Sequence, residues 1–169
     1  DTSALVLEFD AMGKITMRHC AQEIGTGATT GQQVMVQQLL GKVPDVAIFG
    51  ETEFEQLPLK SNLEPFTITQ EQQDELSKDP YWVPFMLPAM SASNSVYFVG
   101  FGTRQAALFL LEHAIWPAAK SIWSEGPGGG QINSGNVQMS DLRAVPGGIG
   151  GGGMSPIPFE QLANRAHSM

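Results

Sequence analysis

The feature that most constrains this sequence is a glycine-rich stretch, QEIGTGATTGQQ, at residues 22–33. It follows Lys14 to Cys20, where apolar and polar residues alternate as they do in a strand with one buried face. After it, apolar pairs at i,i+4 spacing predict a helix over Gln33 to Leu40, and Gly41 stands where a glycine commonly ends a helix. Asp45 to Gly50 is a further apolar run of strand type. The chain thus predicts strand, glycine turn, helix and strand in succession.

A hairpin precedes this unit. Ala4 to Phe9 is an extended run joined to the strand of Lys14 to Cys20 by four residues, and Gly13 can take the positive φ that a tight turn needs. We expect one domain of α/β composition, with α+β character. In it a mixed sheet is packed by two main helices, around Gln33 to Leu40 and Thr103 to Trp123.

The glycine turn allows a nucleotide interpretation, because a tight turn before a helix can hold a phosphate at the helix N-terminus. Three details oppose a dinucleotide site: Thr30 stands at the third glycine position, the preceding strand is half polar, and Asp45 precedes the next strand instead of ending it. A Walker loop is excluded, since no lysine follows the glycines before Lys42. A turn that only reverses the chain remains an alternative.

Charge and cysteine content exclude several classes of protein. The net charge of -8 and pI near 4.7 oppose a nucleic-acid-binding face, so we expect no nucleic-acid partner. Residues 51–80 hold eight of the seventeen acidic residues and two lysines, which indicates a solvated acidic insertion at about 51–90. One cysteine, Cys20, allows no internal disulfide and no all-cysteine iron–sulfur cluster.

The rest of the chain carries weaker signals. We expect a short polar helix around Gln70 to Lys78 and a hairpin at Asn133 to Asn136. Val145 to Pro156, rich in glycine, is either a flexible connection or backbone that passes close to another group. A last helix is expected over Ile157 to Met169, and Pro117 should kink or restart the long helix before it.

Two internal segments and the C-terminal end resemble a known family. Residues 23–30, EIGTGATT, followed by QQVMVQQLLG, resemble the E-(I/M)-G-Q-G-x-x-T turn of the molybdenum hydroxylases, the xanthine dehydrogenase and aldehyde oxidase family. Residues 95–107, SVYFVGFGTRQAA, resemble its serine-rich segment that leads into an alanine-rich helix, and Met154 to Ala166 resembles its closing helix. The most similar branch is that of isoquinoline 1-oxidoreductase and membrane-associated aldehyde dehydrogenase, of whose molybdopterin-binding large subunit this chain would be a fragment.

The resemblance implies a site for the molybdopterin cofactor, in which backbone N–H groups and hydroxyls of both segments touch an anionic ligand. The residues carried over by position are Gly25, Thr26, Gly27, Asn94, Ser95, Val96 and Tyr97. Thr26 replaces a glutamine whose amide reaches the cofactor, and Tyr97 stands where a small polar residue is usual.

The implied activity is hydroxylation of an aldehyde or N-heteroaromatic carbon, with water as oxygen source. The implied partners are the remainder of the large subunit, an iron–sulfur subunit that carries the clusters, and a cytochrome c subunit. Either the periplasm or the cytoplasm fits. No residue of this sequence matches the catalytic glutamate of the family. Glu112 and Glu160 lie in helical patterns, where we expect solvated carboxylates. We therefore expect the chain to be inactive alone.

Two further expectations concern the histidines and the alternative function. His19 and Cys20 are neighbours on a strand and should face opposite ways, so they cannot share a metal, and no zinc spacing exists. His113 is expected to be partly buried. The competing hypothesis is a domain of the same fold that lost the cofactor and serves as a structural or interaction module, with the acidic insertion as its contact surface.

Overall fold

The computed structural model describes residues 5–49, 60–61, 68–83, 95–125 and 134–169. Its strands are β1 Leu5–Phe9, β2 Ile15–His19, β3 Val46–Phe49, β4 Lys60–Ser61, β5 Trp82–Val83, β6 Leu142–Val145, β7 Gly148–Gly151 and β8 Met154–Pro158. Its helices are α1 Ala28–Leu40, α2 Gln70–Leu76, α3 Ser95–Leu110, α4 Trp116–Ser124 and α5 Phe159–Ser168. The expected mixture of helices and sheet is confirmed.

The first sheet has the order β1-β2-β3 and is mixed, as expected. β1 pairs antiparallel with β2, with Leu7 opposite Met17, and β2 pairs parallel with β3, with Met17 opposite Ala47. The hairpin turn contains Gly13 at φ 79°. Helices α1 and α3 pack on each other, with α3 also against β1 and α1 against β3. The chain therefore leaves this sheet at the carboxyl end of β2 and enters α1.

Helix α1 begins at Ala28, earlier than its apolar pattern predicts, and Gly27 in the left-handed conformation is its N-cap. Its end is as predicted, with Gly41 at φ 76° donating its N–H to Gln37. A methyl group added at Gly41 would lie 2.1 Å from the Ala144 side chain. The end of α1 therefore needs glycine both for its conformation and for close packing on β6.

The second main helix differs more from the prediction. It begins at Ser95, not Thr103, so the serine-rich segment is already helical. A π-helical turn, Leu111–Ile115, then separates α3 from α4, and Pro117 falls in the first turn of α4, where its missing N–H costs little. Pro117 was expected to kink or restart the helix; the helix type changes at the π-helical turn just before it, while Ile115 and Trp116 keep helical backbone.

The C-terminal region contains a second sheet that the sequence did not predict. Residues 145–156 were expected to be a flexible connection or closely approached backbone; the second alternative is right, because they form β7 with its two turns in the antiparallel order β6-β7-β8. Pro158 ends β8 and caps α5, so the last helix starts at Phe159 instead of Ile157. Residues 134–136 form a 3-10 turn where a hairpin was expected, and Asn133 lies outside the described residues.

One core joins these parts. It runs from the hairpin through α1, α3 and α4 to the second sheet and α5, and its large fully buried side chains include Ile15, Met17, Leu40, Ile115, Trp123 and Leu162. The described elements of the acidic insertion are a short parallel pair, β4 and β5, and α2. Helix α2 confirms the predicted short polar helix and begins with a capping box between Thr69 and Gln72. Within the described ranges, none of the helices is long and apolar enough to cross a bilayer.

Candidate functional site: the glycine turn

The glycine turn, residues 22–27, connects the end of β2 to the start of α1. Gly25 and Gly27 have φ of 89° and 70°, in the left-handed region where a side chain is strained. A methyl group added at either glycine would meet no other atom within 4 Å. These glycines are therefore required for their backbone conformation, and the space outside them is open.

Two backbone N–H groups of the glycine turn and one of the first turn of α1 point at one carboxylate, that of Glu23. Glu23 Oε1 accepts from Gly25 N at 3.0 Å and from Gly27 N at 2.9 Å, and Oε2 accepts from Thr29 N at 3.1 Å. The hydrogen bonds from Thr29 and Gly27, followed by that from Gly25, hold the pKa of Glu23 below its usual value. The donors that would hold an external phosphate are thus occupied by a side chain of this turn.

A small apolar cluster lies where the glycine turn leaves the sheet and enters α1. It consists of Cys20, Ala21, Ala28 and Val99, with Val96 packed against it. Cys20 and Ala21 close β2, Ala28 opens α1, and Val96 and Val99 belong to the first turns of α3. The two segments that resemble the molybdenum hydroxylases are therefore brought together in space.

Glycines also bring the two helices close. A methyl group at Gly31 would lie 3.0 Å from Val96, and one at Gly100 would lie 2.7 Å from the end of the Met35 side chain. Small residues at these positions let α1 and α3 approach closely along the contact. The start of α3 is consequently fixed relative to the glycine turn.

Buried polar groups lie along this part of the sheet and helices. The Thr103 hydroxyl is within hydrogen-bond range of the Gln32 side-chain carbonyl and lies 3.2 Å from the carbonyl oxygen of Val99. Gln32 and Thr103 are fully buried, and Gln32 Nε2 has no acceptor within the described parts of the chain. This polar pair links α1 to α3 below the glycine turn.

His19, the last residue of β2, is also fully buried. Burial lowers the pKa of its imidazole, against smaller opposing effects of the Ala21 backbone and the Glu23 charge. Neither ring nitrogen has a hydrogen-bond partner among the residues described, and the ring lies 6.1 Å from that of Phe49. Cys20, just beyond the end of β2, is buried as well and belongs to the small apolar cluster, so the expectation that the two side chains face opposite ways stays a prediction.

The predicted site residues have different surroundings. Gly25, Thr26 and Gly27 are exposed together in the glycine turn, and the Thr26 N–H is not among the Glu23 contacts. Ser95 is buried and Val96 packs on Gly31, whereas Tyr97 is 77% exposed.

Asn94 lies outside the described residues. The glycine turn and the start of α3 are thus adjacent, but Val96 contributes packing instead of a polar group.

Sequence reasoning missed the role of Glu23. The signal was present, because a carboxylate a few residues before a helix that starts with glycine can serve the unpaired N–H groups of its first turn. A backbone prediction alone could not show which way that side chain turns.

Asp45, whose position opposed the dinucleotide interpretation, has a structural role. Its Oδ2 accepts from Ile15 N at 2.8 Å and lies 2.7 Å from Lys42 Nζ. Lys42 in turn donates to the carbonyl oxygen of Gly13 at 2.7 Å. Asp45 thereby ties the hairpin to the start of β3. Because Glu23 fills the N-terminus of α1 as well, the phosphate position and the acidic residue that the dinucleotide interpretation needs are both used within the chain.

The other titratable residues of the described ranges are not grouped as a catalytic or metal site would be. Glu112 and Glu160 are exposed, as expected of solvated carboxylates. His113 was expected to be partly buried but is exposed, with its ring centred 4.3 Å from that of Phe109 and tilted to it by 42°. Within the described ranges, no three His, Cys, Asp or Glu residues are grouped as metal ligands would be.

Comparison with known proteins found no matching family model, no matching curated protein and no matching solved structure.

Proposed function

We propose that this chain forms one wall of a molybdopterin site in the large subunit of an oxidoreductase. That enzyme would hydroxylate an aldehyde or an N-heteroaromatic carbon with water. The observation that carries the proposal is the small apolar cluster, because Ala21 and Ala28 at the two ends of the glycine turn pack with Val96 and Val99 of α3. These two segments with family resemblance thus lie next to each other across a buried contact.

The glycine turn fits the cofactor in some respects and not in others. Its exposed glycines leave open space in which a flat ligand can approach the backbone, and the exposed Thr26 offers a hydroxyl. Its backbone donors do not fit the role that the resemblance implies, because Gly25, Gly27 and Thr29 donate to Glu23. Thr26 is therefore the exposed polar side chain on this wall that would hold the cofactor, whereas Ser95 at the start of α3 is buried.

The cofactor, when bound, would supply the oxidative chemistry. The described residues of this chain offer no buried carboxylate beside the glycine turn that could act as base, and Glu112 and Glu160 are exposed on other helices. The base, the iron–sulfur clusters and the electron route to a cytochrome c would come from the remainder of the large subunit and its partner subunits. The 169-residue chain alone is expected to oxidise no aldehyde, and turnover by the isolated chain would contradict this division of roles.

Metal and pterin content of the full-length parent protein tests the proposal. Gly27→Val should lower both, because it strains a left-handed residue and fills the open face of the glycine turn. Gly153→Val is the matched control, since Gly153 has φ 76° and equally open surroundings in the second sheet. Thr26→Gln, which lengthens the polar side chain, should keep or raise the content. Unchanged molybdenum in Gly27→Val would overturn the proposal.

A second candidate is a cofactor-free interaction domain of the same fold. It is favoured by the Glu23 carboxylate, which already fills the helix N-terminus, and by Phe101 and Phe109 on α3, which are 70% and 66% exposed. A parent protein that contains neither molybdenum nor pterin after growth in molybdate would favour this candidate.

A further inference from the structure

Glu23 is bonded as an internal anion at the start of α1. Both of its carboxylate oxygens are used, one by Gly25 and Gly27 and the other by Thr29, at 2.9 to 3.1 Å. At a helix N-terminus after a glycine turn, it is usually a bound phosphate that accepts from several backbone N–H groups in this way. Here the same contacts come from within the chain, across two to six residues.

Helix α1 needs this carboxylate for a local reason. Its N-cap is Gly27, which has no side chain to accept from the first-turn N–H groups, and its first turn contains no acidic residue. A negative charge at this end also interacts favourably with the helix dipole. Glu23 supplies both the acceptor and the charge from four residues before the cap.

The geometry also fixes what the glycine turn presents to solvent. Because Gly25 and Gly27 donate to the same oxygen, the residue between them is held at the crest of the turn, and Thr26 is exposed there. A turn held at only one of these N–H groups would leave residue 26 with more conformational freedom.

We propose that Glu23 is the positioning residue of the glycine turn: its carboxylate holds Thr26 toward the ligand and keeps external oxyanions off the start of α1. This inference rests on the proposed function for the identity of the ligand, and it deepens that function by placing any phosphate of the ligand elsewhere than at this helix N-terminus. The lowered pKa of Glu23 agrees with a carboxylate that stays ionised in the turn.

The chemistry of the side chain determines which substitutions keep the role. Glutamine retains one acceptor oxygen but replaces the other with an NH₂ group, which cannot accept from Thr29 or the glycines. Alanine removes both oxygens and leaves three N–H groups open to solvent anions. Partial function in Glu23→Gln and loss in Glu23→Ala are therefore expected.

Amide exchange and anion titration of the 15N-labelled 169-residue chain test the role without the cofactor. In Glu23→Ala the amides of Gly25, Gly27 and Thr29 should exchange on the order of tenfold faster. Formate or inorganic phosphate should shift these three resonances in that variant and slow their exchange again. In the wild-type chain the same anions should leave them unchanged.

The matched control is Glu71→Gln, which removes an exposed carboxylate from the first turn of α2, where it caps no N–H group within the described residues. It should leave the three amides as they are. If Glu23→Ala is too unstable to assign, Glu23→Gln gives the same readout at smaller amplitude. Equal exchange rates in the wild type and both Glu23 variants, or equal anion shifts in the wild type and Glu23→Ala, would overturn the proposal.

Cofactor content of the parent protein distinguishes this role from the proposed function itself. If both hold, Glu23→Ala lowers the molybdenum content and added formate restores part of it. If the parent contains no molybdenum in any variant while the amide results stand, the proposed function fails and the positioning role of Glu23 remains.

Discussion

The glycine turn and the C-terminal sheet both depend on glycine, but an added side chain would meet different surroundings in each. At Gly25 and Gly27 a methyl group would meet no atom within 4 Å, whereas at Gly148 it would lie 2.0 Å from the carbonyl oxygen of Ile157. At Gly151 it would lie 2.0 Å from that of Asp141. The first pair of glycines sets a conformation and leaves open space, and the second pair allows strands to pack.

The two regions also differ in the polarity of their buried side chains. Near the glycine turn the buried residues include His19, Gln32 and Thr103, while the C-terminal sheet covers an apolar core with Ile149 and Ile157. Polar groups in a protein interior need partners to offset their desolvation, so they are seldom retained for stability alone. The comparison shows an apolar interior under the C-terminal sheet and buried polar groups beside the glycine turn, which agrees with the proposal that the turn forms part of a ligand site.

The largest expected effect is that of Gly148→Ala. Because the added methyl group collides with backbone of β8, the free energy of unfolding should fall by about 3 kcal/mol. Urea denaturation with linear extrapolation measures this. Gly135→Ala, in a turn where the methyl group meets nothing, is the control and should change stability by less than about 0.5 kcal/mol. Equal losses in the two variants would break the comparison.

Thr103→Val comes next, because it removes the partner of a buried amide. The Gln32 side chain would keep its desolvation cost without the hydrogen bond, so the free energy of unfolding should fall by about 1–3 kcal/mol. Gln32→Leu combined with Thr103→Val should recover much of the loss, since both partners are then apolar. A double variant that is no more stable than the additive sum would show that the pair does not act as a unit.

Gly27→Ala should cost less, about 1 kcal/mol, because only left-handed strain opposes the methyl group. The same denaturation measurement places it between Gly135→Ala and Gly148→Ala. A loss as large as that of Gly148→Ala would mean that the space outside the glycine turn is not open.

The smallest effect is a pH dependence from His19. Since burial lowers the pKa of His19 below its ordinary 6.5, the unfolded chain binds a proton more readily than the folded chain. Stability should therefore be full above pH 6.5 and fall as the pH is lowered through that value toward the folded pKa. His19→Leu should flatten this slope between pH 5 and 7, and His113→Gln, at an exposed position, should preserve it. An unchanged slope in His19→Leu would assign the dependence to other groups.

Several elements could be predicted from sequence because neighbouring residues decide them. The hairpin turn at Gly13, the end of α1 at Gly41 and the capping box of Thr69 and Gln72 each depend on the conformational freedom or hydrogen bonds of a few residues. The order strand, glycine turn, helix, strand followed from periodicity for the same reason. The positions of Gly25, Thr26 and Gly27 in one exposed turn also followed from it.

Other elements depended on contacts that no local pattern contains. Residues 95–102, with glycines and β-branched and aromatic side chains, are poor helix formers, yet they are helical where Val96 packs on Gly31 and Gly100 on Met35. Residues 145–156 contain β7 and its two turns, together with the end of β6 and the start of β8, because β6 and β8 supply hydrogen-bond partners on both sides of β7. Long-range packing offset weak local preference in both cases.

The sequence by itself determined the glycine turn and the helix after it, since positive φ and i,i+4 apolar spacing are properties of the residues themselves. Only the tertiary structure decided what that turn can bind. The direction of the Glu23 carboxylate and the packing of Val96 and Val99 beside the turn depend on where the backbone N–H groups and α3 lie in space. The same glycines could have held an external phosphate; in this fold their N–H groups hold a carboxylate of the chain itself.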